Sequence, residues 1–250
     1  ATSVPSPTRP DTLFALPVEM DFDFGADNGD AIITRLIPVH SVPLENDWRL
    51  LNTGIIVLAN APGGVPGSPG NPEPGSSGYA SGLGDCIDAM LFSRSRPGGL
   101  QWGFGPIISF PTATHDQLGS GKWSAGPAIR LAYNAPDRHI GMLAGNLTSF
   151  AGDPHRADVN QLLIRGLVRF DYPDAWFFKY SPIITANWNA DSGQRWLVPV
   201  GGGIGKRINF LSTPLNIATE AYANVIKPDG APDWVFRVAF TLPLHRVAPE

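Results

Sequence analysis

Two sets of charged side chains alternate with apolar residues along this sequence, and their spacing is the first sign of chemistry. An acidic set lies near the N-terminus, and a basic set is spread over the middle of the chain. Alternation at every second residue is typical of a β-strand, in which successive side chains point to opposite faces. Charges gathered on one enclosed face must be paired or hydrated, and in a lumen they can orient polar solutes. The candidate lumen-lining residues are Glu19, Asp21, Asp23, Arg130, Arg165, Arg169, Lys179, Arg195, Glu220 and Arg237, with Arg35 beside the acidic set.

A glycine-rich segment, Gly201 to Lys206, has the composition of a phosphate-binding loop but not its spacing. The motif requires Gly at position 200, where the chain has Val200, and Ser or Thr after the lysine, where it has Arg207. Alternation continuing from Trp196 instead predicts that every second glycine points inward, where a missing side chain leaves room. The inward glycines of this interpretation are Gly201, Gly203 and Gly205.

Hydrolysis is the enzymatic alternative, because it needs a histidine and a serine that are hydrogen-bonded and oriented by a third group. Four residues in or near predicted outer loops are candidates, namely His115, His155, Ser120 and Ser149. The chain has no Gly-x-Ser-x-Gly segment. Both histidines have an aspartate nearby, Asp116 and Asp153, but a metal site there is a weaker hypothesis still. We therefore expect no enzymatic activity, no metal and no cofactor.

The elements that must position these charges are strands, and residues 176 to 188 show the pattern most clearly. Trp176 and Trp188 bracket an apolar face that alternates with a mostly polar one. About ten such residues with aromatic residues at both ends describe a strand that crosses a bilayer in a closed barrel. A soluble sandwich alternates as well, but its core tryptophans would gather at strand centres. All seven tryptophans instead lie near predicted strand ends, which predicts two membrane-interface girdles: Trp123, Trp188, Trp196 and Trp234 on the long-loop side, and Trp48, Trp102 and Trp176 on the short-turn side.

Composition agrees with many strands and turns. The chain of 250 residues contains 28 Gly and 25 Pro, and only 16% of its residues are charged. No segment approaches the eighteen consecutive apolar residues of a membrane helix. The net charge of −4 and the lack of a basic stripe make nucleic acid an unexpected partner. A single cysteine, Cys86, excludes an intrachain disulfide and a thiolate metal cluster.

The alternating segments number about twelve, and short connections alternate with longer ones. An even number of strands with short turns on one side is typical of bacterial outer-membrane barrels. We expect an extended tail over residues 1–12, a transmembrane barrel over 13–245, and a second tail over 246–250. A plug inside the lumen is one possible role of the N-terminal tail. Residues 60–81 and 111–121 are predicted outer loops. The facing of the second, third and seventh strands stays open.

Several segments resemble one group of Gram-negative outer-membrane proteins labelled as transporters, which is related to the channels of aromatic-compound (meta-pathway of phenol) degradation. The similar segments lie at residues 82–85, 105–114, 118–127, 149–153, 157–161, 181–186 and 227–234, within roughly 80–245. The resemblance implies an outer-membrane channel and assigns no chemistry to any residue. Such channels usually end in an aromatic residue, whereas this chain ends at Glu250.

These observations predict an all-β fold, a transmembrane antiparallel β-barrel of about twelve strands in the bacterial outer membrane. Twelve strands fall between eight, which side chains fill, and sixteen, which enclose an aqueous pore. We therefore expect a narrow, partly occluded lumen and passive uptake of small solutes, with the lipid bilayer and a small molecule as partners. An outer-membrane lipid-modifying hydrolase with His and Ser at the outer rim, or a structural barrel, are the alternatives. The resemblance suggests hydrophobic or aromatic solutes, whereas the charged lumen suggests polar or ionic ones, and the oligomeric state stays open.

Overall fold

A computed structural model describes residues 12–62, 78–94, 99–210 and 213–247 of the chain. Residues 1–11 of the predicted N-terminal tail, residues 63–77 of the first predicted outer loop, residues 95–98 and 211–212, and residues 248–250 of the predicted C-terminal tail lie outside that description. Of the predicted tails, Thr12 begins the first strand, and Arg246 and Val247 end the last one. The strand segments are β1 (Thr12–Phe24), β2 (Ala31–Leu36), β3 (Val39–Pro43), β4 (Trp48–Ala61), β5 (Ala80–Leu83), β6 (Cys86–Arg94), β7 (Leu100–Phe110), β8 (Lys122–Ala135), β9 (Arg138–Gly152), β10 (Asn160–Asp171), β11 (Trp176–Tyr180), β12 (Ile183–Asn187), β13 (Trp196–Phe210), β14 (Thr213–Ile226) and β15 (Trp234–Val247). Short 3-10 helices span Asp116–Leu118, Pro173–Ala175 and Ser192–Gln194.

The segments form one closed antiparallel barrel. Consecutive strands pair with each other, and β1 pairs with β15 along its whole length, from Thr12↔Val247 to Phe24↔Trp234. Three barrel strands are each made of two segments. The segments β2 and β3 form one strand, because both pair with β1 on one side and with β4 on the other. The segments β5 and β6 both pair with β4, and the segments β11 and β12 both pair with β10 and with β13. Counted this way, the described residues form twelve barrel strands, which confirms the predicted fold.

Prolines mark two of the three strand breaks. Pro38 separates β2 from β3 and Pro182 separates β11 from β12, and neither has an N–H to donate to the sheet. The register is unchanged across both proline breaks, since Arg165↔Ile183 and Val168↔Tyr180 keep one offset, and Val18↔Leu36 and Ala15↔Val39 keep another. Alternation of inward and outward side chains therefore continues through the break. At the third break, Gly84 and Asp85 are both buried.

Side chains on the described strands alternate between the barrel interior and its outer surface. Glu19, Asp21 and Asp23 of β1 are buried inside, whereas Phe22 and Phe236 contact each other on the outer surface. The strands whose facing was left open place apolar residues inside, such as Ile33 on β2, Val57 on β4 and Leu147 on β9.

In β6 the apolar set faces the interior, so the acidic residue of this strand is on the outer surface. Ile87, Ala89 and Leu91 are buried. Asp88 lies on the opposite face, where Asn52 Nδ2 donates to both carboxylate oxygens at 2.9 and 2.8 Å. Packing of the apolar residues in the barrel interior therefore decides which face of β6 points inward, and it outweighs the preference of aspartate for the lumen.

Apolar side chains fill much of the interior at the end of the barrel that carries the long loops. The cluster draws on β2 and on β4 to β10, and its members include Ile33, Ile55, Val57, Ile87, Leu91, Ile107, Leu118, Leu147 and Leu163. A smaller apolar group at the other end contains Phe177, Ala218 and Ala239. The charged residues lie between and beside these two groups.

Tryptophan rings gather at the two ends of the barrel. Trp48 contacts Trp102 at the short-turn end, with ring centroids 5.7 Å apart. Trp188 contacts Trp196 at the long-loop end, at 5.6 Å, and Trp123 contacts Phe110 at the same end, at 5.5 Å. No helix within the described ranges is long and apolar enough to cross a membrane.

Candidate functional site

Glu19 is the centre of an ion-pair network that joins opposite walls of the barrel. Both of its carboxylate oxygens accept from Arg165 Nη2 at 3.0 Å, although the two residues are 146 positions apart in sequence. Lys179 Nζ lies 4.0 Å from one oxygen, and Arg237 Nη1 lies 3.8 Å from the other. One carboxylate from β1 therefore faces cations from β10, β11 and β15.

Asp21, two residues further along β1, is shared by two guanidinium groups. Arg237 donates to both of its oxygens, at 2.6 and 2.8 Å, and Arg35 lies 2.5 Å from one of them. Arg237 Nη1 also donates to the Ser181 carbonyl at 2.6 Å, at the break between β11 and β12. The broken strand thus satisfies a backbone carbonyl with an arginine from β15, from which it is separated by β13 and β14.

Glycines in β13 explain how Glu220 reaches that same break. Glu220 and Tyr222 of β14 are opposite Gly203 and Gly201, which carry no side chains to block their path across β13. The carboxylate of Glu220 accepts from Lys179 Nζ at 2.8 Å and from Ser181 Oγ at 2.7 Å, while Tyr222 Oη accepts from Ser181 N–H at 2.8 Å. The inward position of these glycines therefore serves a side-chain network.

The third inward glycine makes room for an aromatic ring. Gly205 is opposite Phe177, and a Cβ at Gly205 would lie 2.3 Å from Phe177 Cζ. The Phe177 ring is only 2% exposed and stacks under the Arg169 guanidinium, whose Cζ is 3.8 Å from the ring centroid. A glycine is needed here because any larger side chain would displace that ring.

Asp23, at the long-loop end of the network, lacks an ion pair within the described part of the chain, and its buried Oδ2 has no hydrogen-bond partner there. It lines a cavity of about 30 Å³ together with Asp21, Arg35, Tyr222 and Arg237. That volume suits one or two water molecules.

The remaining predicted lumen residues occupy different positions. Arg130 of β8 points inward and has neither a hydrogen bond nor an ion pair within the described ranges. Arg169 is held by Asp171 of its own strand, at 2.9 Å from Nε and 2.5 Å from Nη2. Arg195 lies in the loop before β13, where its Nε donates to the Ala190 carbonyl at 2.8 Å, apart from the network.

A cavity of about 510 Å³ lies on the short-turn side of the network, and we call it the basic chamber. Its charged lining consists of Glu19 and five cations, namely Arg130, Arg165, Arg169, Lys179 and Arg207. His139 lines it as well, and the His139 Nε2 atom lies 3.4 Å from Asp171 Oδ2. Apolar lining comes from Ile37, Val39, Leu51, Leu91, Leu143 and Phe177. Arg165, Lys179 and Arg169 are paired with Glu19, Glu220 and Asp171, so the chamber has a largely apolar lining and a basic excess from Arg130 and Arg207.

At the opposite end, the predicted loop 111–121 folds onto the barrel interior. Leu118 of its short helix joins the buried apolar cluster. Asp85 holds the loop, since its carboxylate accepts from Ser120 N–H and Ser120 Oγ, both at 2.7 Å, and from Ala113 N–H at 3.3 Å.

Three of the four residues considered for hydrolysis, Ser120, Ser149 and His155, are engaged in other contacts. Ser120 is bonded to Asp85, and Ser149 Oγ donates to Asp158 at 3.2 Å. His155 is exposed and contacts Asp153. Asp158, the partner of Ser149, also lies 3.2 Å from Lys122 Nζ, and the hydrogen bond from Lys122 lowers the pKa of the Asp158 carboxyl. Across the described residues no hydrogen bond joins a histidine to a serine, and no three His, Cys, Asp or Glu side chains are grouped as metal ligands.

Sequence reasoning did not identify four residues that build this interior. Ser181 and Tyr222 complete the Glu220 site, Asp85 holds the inward loop, and Asp171 holds Arg169. Ser181-Pro182 was a detectable signal, because a proline in a continuous strand leaves backbone groups that need other partners.

Comparison with known proteins supports the fold. No protein-family model and no curated protein matches the sequence. Among solved structures, the chain is similar to the COG4313 outer membrane channel from Pseudomonas putida F1, with a TM-score of 0.62 and 10% identity over 96% of this chain and 99% of that one. It also aligns with the translocator domain of the autotransporter NalP from Neisseria meningitidis (TM-score 0.44, 8% identity, 93% of this chain and 88% of that chain) and with OmpF from Salmonella typhi in complex with daunomycin (TM-score 0.40, 9% identity, 93% and 96%). The similarity to the Pseudomonas putida channel shows a shared fold.

Proposed function

We propose that this protein is a channel of the bacterial outer membrane that allows small solutes to diffuse passively across it. The observation that carries the proposal is a closed twelve-strand barrel whose outer surface is apolar with tryptophans at both ends and whose interior holds the charges. Such a barrel satisfies its backbone hydrogen bonds internally and needs lipid to cover its outer face. The shared fold with a protein described as an outer membrane channel supports the same assignment.

The interior contacts support a narrow lumen that is partly occluded. Arg165 of β10 meets Glu19 on the nearly opposite strand β1, and Arg237 of β15 reaches past β14 and β13 to the Ser181 carbonyl. Leu118 brings an outer loop into the apolar cluster at the other end. Solutes would then pass only when some of these contacts rearrange, which predicts low conductance and selectivity for small molecules. Transport of aromatic compounds, which the sequence resemblance suggests, remains a hypothesis about the solute.

Liposome swelling tests this function. Protein refolded into vesicles should accelerate the uptake of small solutes such as glycine over protein-free vesicles, and should discriminate against larger ones such as sucrose. Heat-denatured protein serves as the control for leakage. Swelling equal to that of protein-free vesicles for every solute would argue against the channel and in favour of a structural barrel.

A further inference from the structure

We infer that the basic chamber is a binding site for small organic anions that carry an apolar chain, with a carboxylate as the anionic group. The inference deepens the proposed function, on which it rests for the idea that solutes reach the chamber. The cavity of about 510 Å³ lies within the roughly 300–1,000 Å³ that is usual for small-molecule sites. It extends to the short-turn end of the barrel, because its lining includes residues next to the short turns, such as Asn134, His139 and Arg207.

The charge balance of the chamber calls for an anion. Its single lining carboxylate, Glu19, is already engaged by Arg165 and contacted by Lys179 and Arg237. Arg130 has no polar partner across the described residues, and the buried Nη1 of Arg165 has none either. Removing a guanidinium from water without a counter-charge is costly, so an anion that enters the chamber relieves that cost.

Arg207 adds a second accessible cation at the chamber entrance. Its Nε donates to the amide oxygen of Asn216 at 3.3 Å, and its side chain is exposed. Guanidinium groups hold carboxylates through two parallel hydrogen bonds, which favours a carboxylate over a spherical anion. Arg130 and Arg207 thus offer the chamber two guanidinium groups that protein carboxylates leave unoccupied in the described part of the chain.

The apolar lining defines the rest of the ligand. Ile37, Val39, Leu51, Leu91 and Leu143 are aliphatic, and Phe177 adds one ring face. An inorganic anion would leave these side chains in contact with water, whereas an aliphatic chain would cover them. The chamber therefore fits an amphipathic anion better than chloride or phosphate.

Binding of hexanoate to the refolded protein in lipid nanodiscs, followed by titration calorimetry, tests the inference. Hexanamide has nearly the same shape without the charge, so it separates anion recognition from hydrophobic partition. We expect hexanoate to bind the unmodified protein at one site, and hexanamide to bind at least tenfold more weakly. Arg130→Gln should weaken hexanoate binding about tenfold or more, and Arg138→Gln, which changes an exposed turn arginine outside the chamber, should leave it unchanged.

Two outcomes would overturn the inference: equal binding of hexanoate and hexanamide, or hexanoate binding that Arg130→Gln and Arg207→Gln both leave intact. Arg207→Gln keeps the test decisive if Arg130→Gln does not fold, because Arg207 is exposed and makes one long contact. Since the readout is binding, it is independent of conduction. A protein that binds hexanoate but does not conduct would refute the channel alone, and a conducting protein that does not bind hexanoate would refute the chamber alone.

Discussion

Replacing Glu220 by glutamine should destabilise the barrel, because this buried carboxylate is the main partner of Lys179, whose side chain is only 15% exposed. Glu220 is 1% exposed, and one of its oxygens lies 2.8 Å from Lys179 Nζ. Breaking a buried ion pair by removing one charge costs about 3–5 kcal/mol. The next carboxylate oxygen, from Glu19, is 4.0 Å from Lys179 Nζ and retains part of the attraction. Glutamine also keeps an acceptor for Ser181. We therefore expect a loss at the lower end of that range, about 3 kcal/mol.

The assay is equilibrium unfolding by urea in lipid vesicles, followed by tryptophan fluorescence. Asp137→Asn is the matched control, because Asp137 pairs with Arg138 at 3.1 Å on an exposed turn, where such pairs contribute less than about 1 kcal/mol. The double variant Lys179→Met/Glu220→Gln removes both charges and should recover much of the loss, since no buried charge is left alone. If Glu220→Gln costs no more than Asp137→Asn, the pair is solvated and the network does not stabilise the barrel.

Three further predictions concern the outer face, the packing and the lumen. Ile184→Arg, on the outer surface, should lower the free energy of unfolding in lipid vesicles by about 2–4 kcal/mol if the site is near the bilayer midplane, and no loss would mean that Ile184 does not face lipid. Gly205→Ala should cost about 1–3 kcal/mol by overpacking against Phe177, and the same urea assay should show a smaller cost in a Phe177→Leu background, whereas an equal cost would contradict the contact. Glutamine at the three inward arginines Arg130, Arg165 and Arg169 should lower anion permeability relative to cation permeability, which reversal potentials under a salt gradient measure. An unchanged ion preference with unchanged stability would mean that these arginines do not line the lumen.

The sequence was sufficient to predict the barrel because its main signals are local. Alternation along residues 176–188 predicts the inward set Phe177, Lys179 and Ser181, and the structure places these side chains inside. Pro182 interrupts the strand without changing its register, so the prediction of facing holds across the break. The girdle prediction also relied on local position, and the rings of Trp48 and Trp102 lie together at one end.

The partners inside the barrel could not be predicted, because they depend on the stagger of strands around the closed sheet. Arg165 meets Glu19 across the interior, whereas Arg130, on a nearby strand and of the same residue type, meets no carboxylate in the described part of the chain. β6 shows the same limit, since its facing is decided by the apolar cluster that several other strands supply. In β6 the alternating pattern says which residues share a face, but only the assembled barrel says which of the two faces is inside.

Single-channel recording in planar lipid bilayers tests the central claim most directly. Refolded protein added to one side should produce discrete current steps. The narrow lumen that we propose predicts steps that are small for a barrel of this size. Heat-denatured protein at the same concentration should produce none. A well-folded, membrane-inserted protein that gives no steps over long recordings at several voltages would contradict the channel and leave the barrel without a transport function.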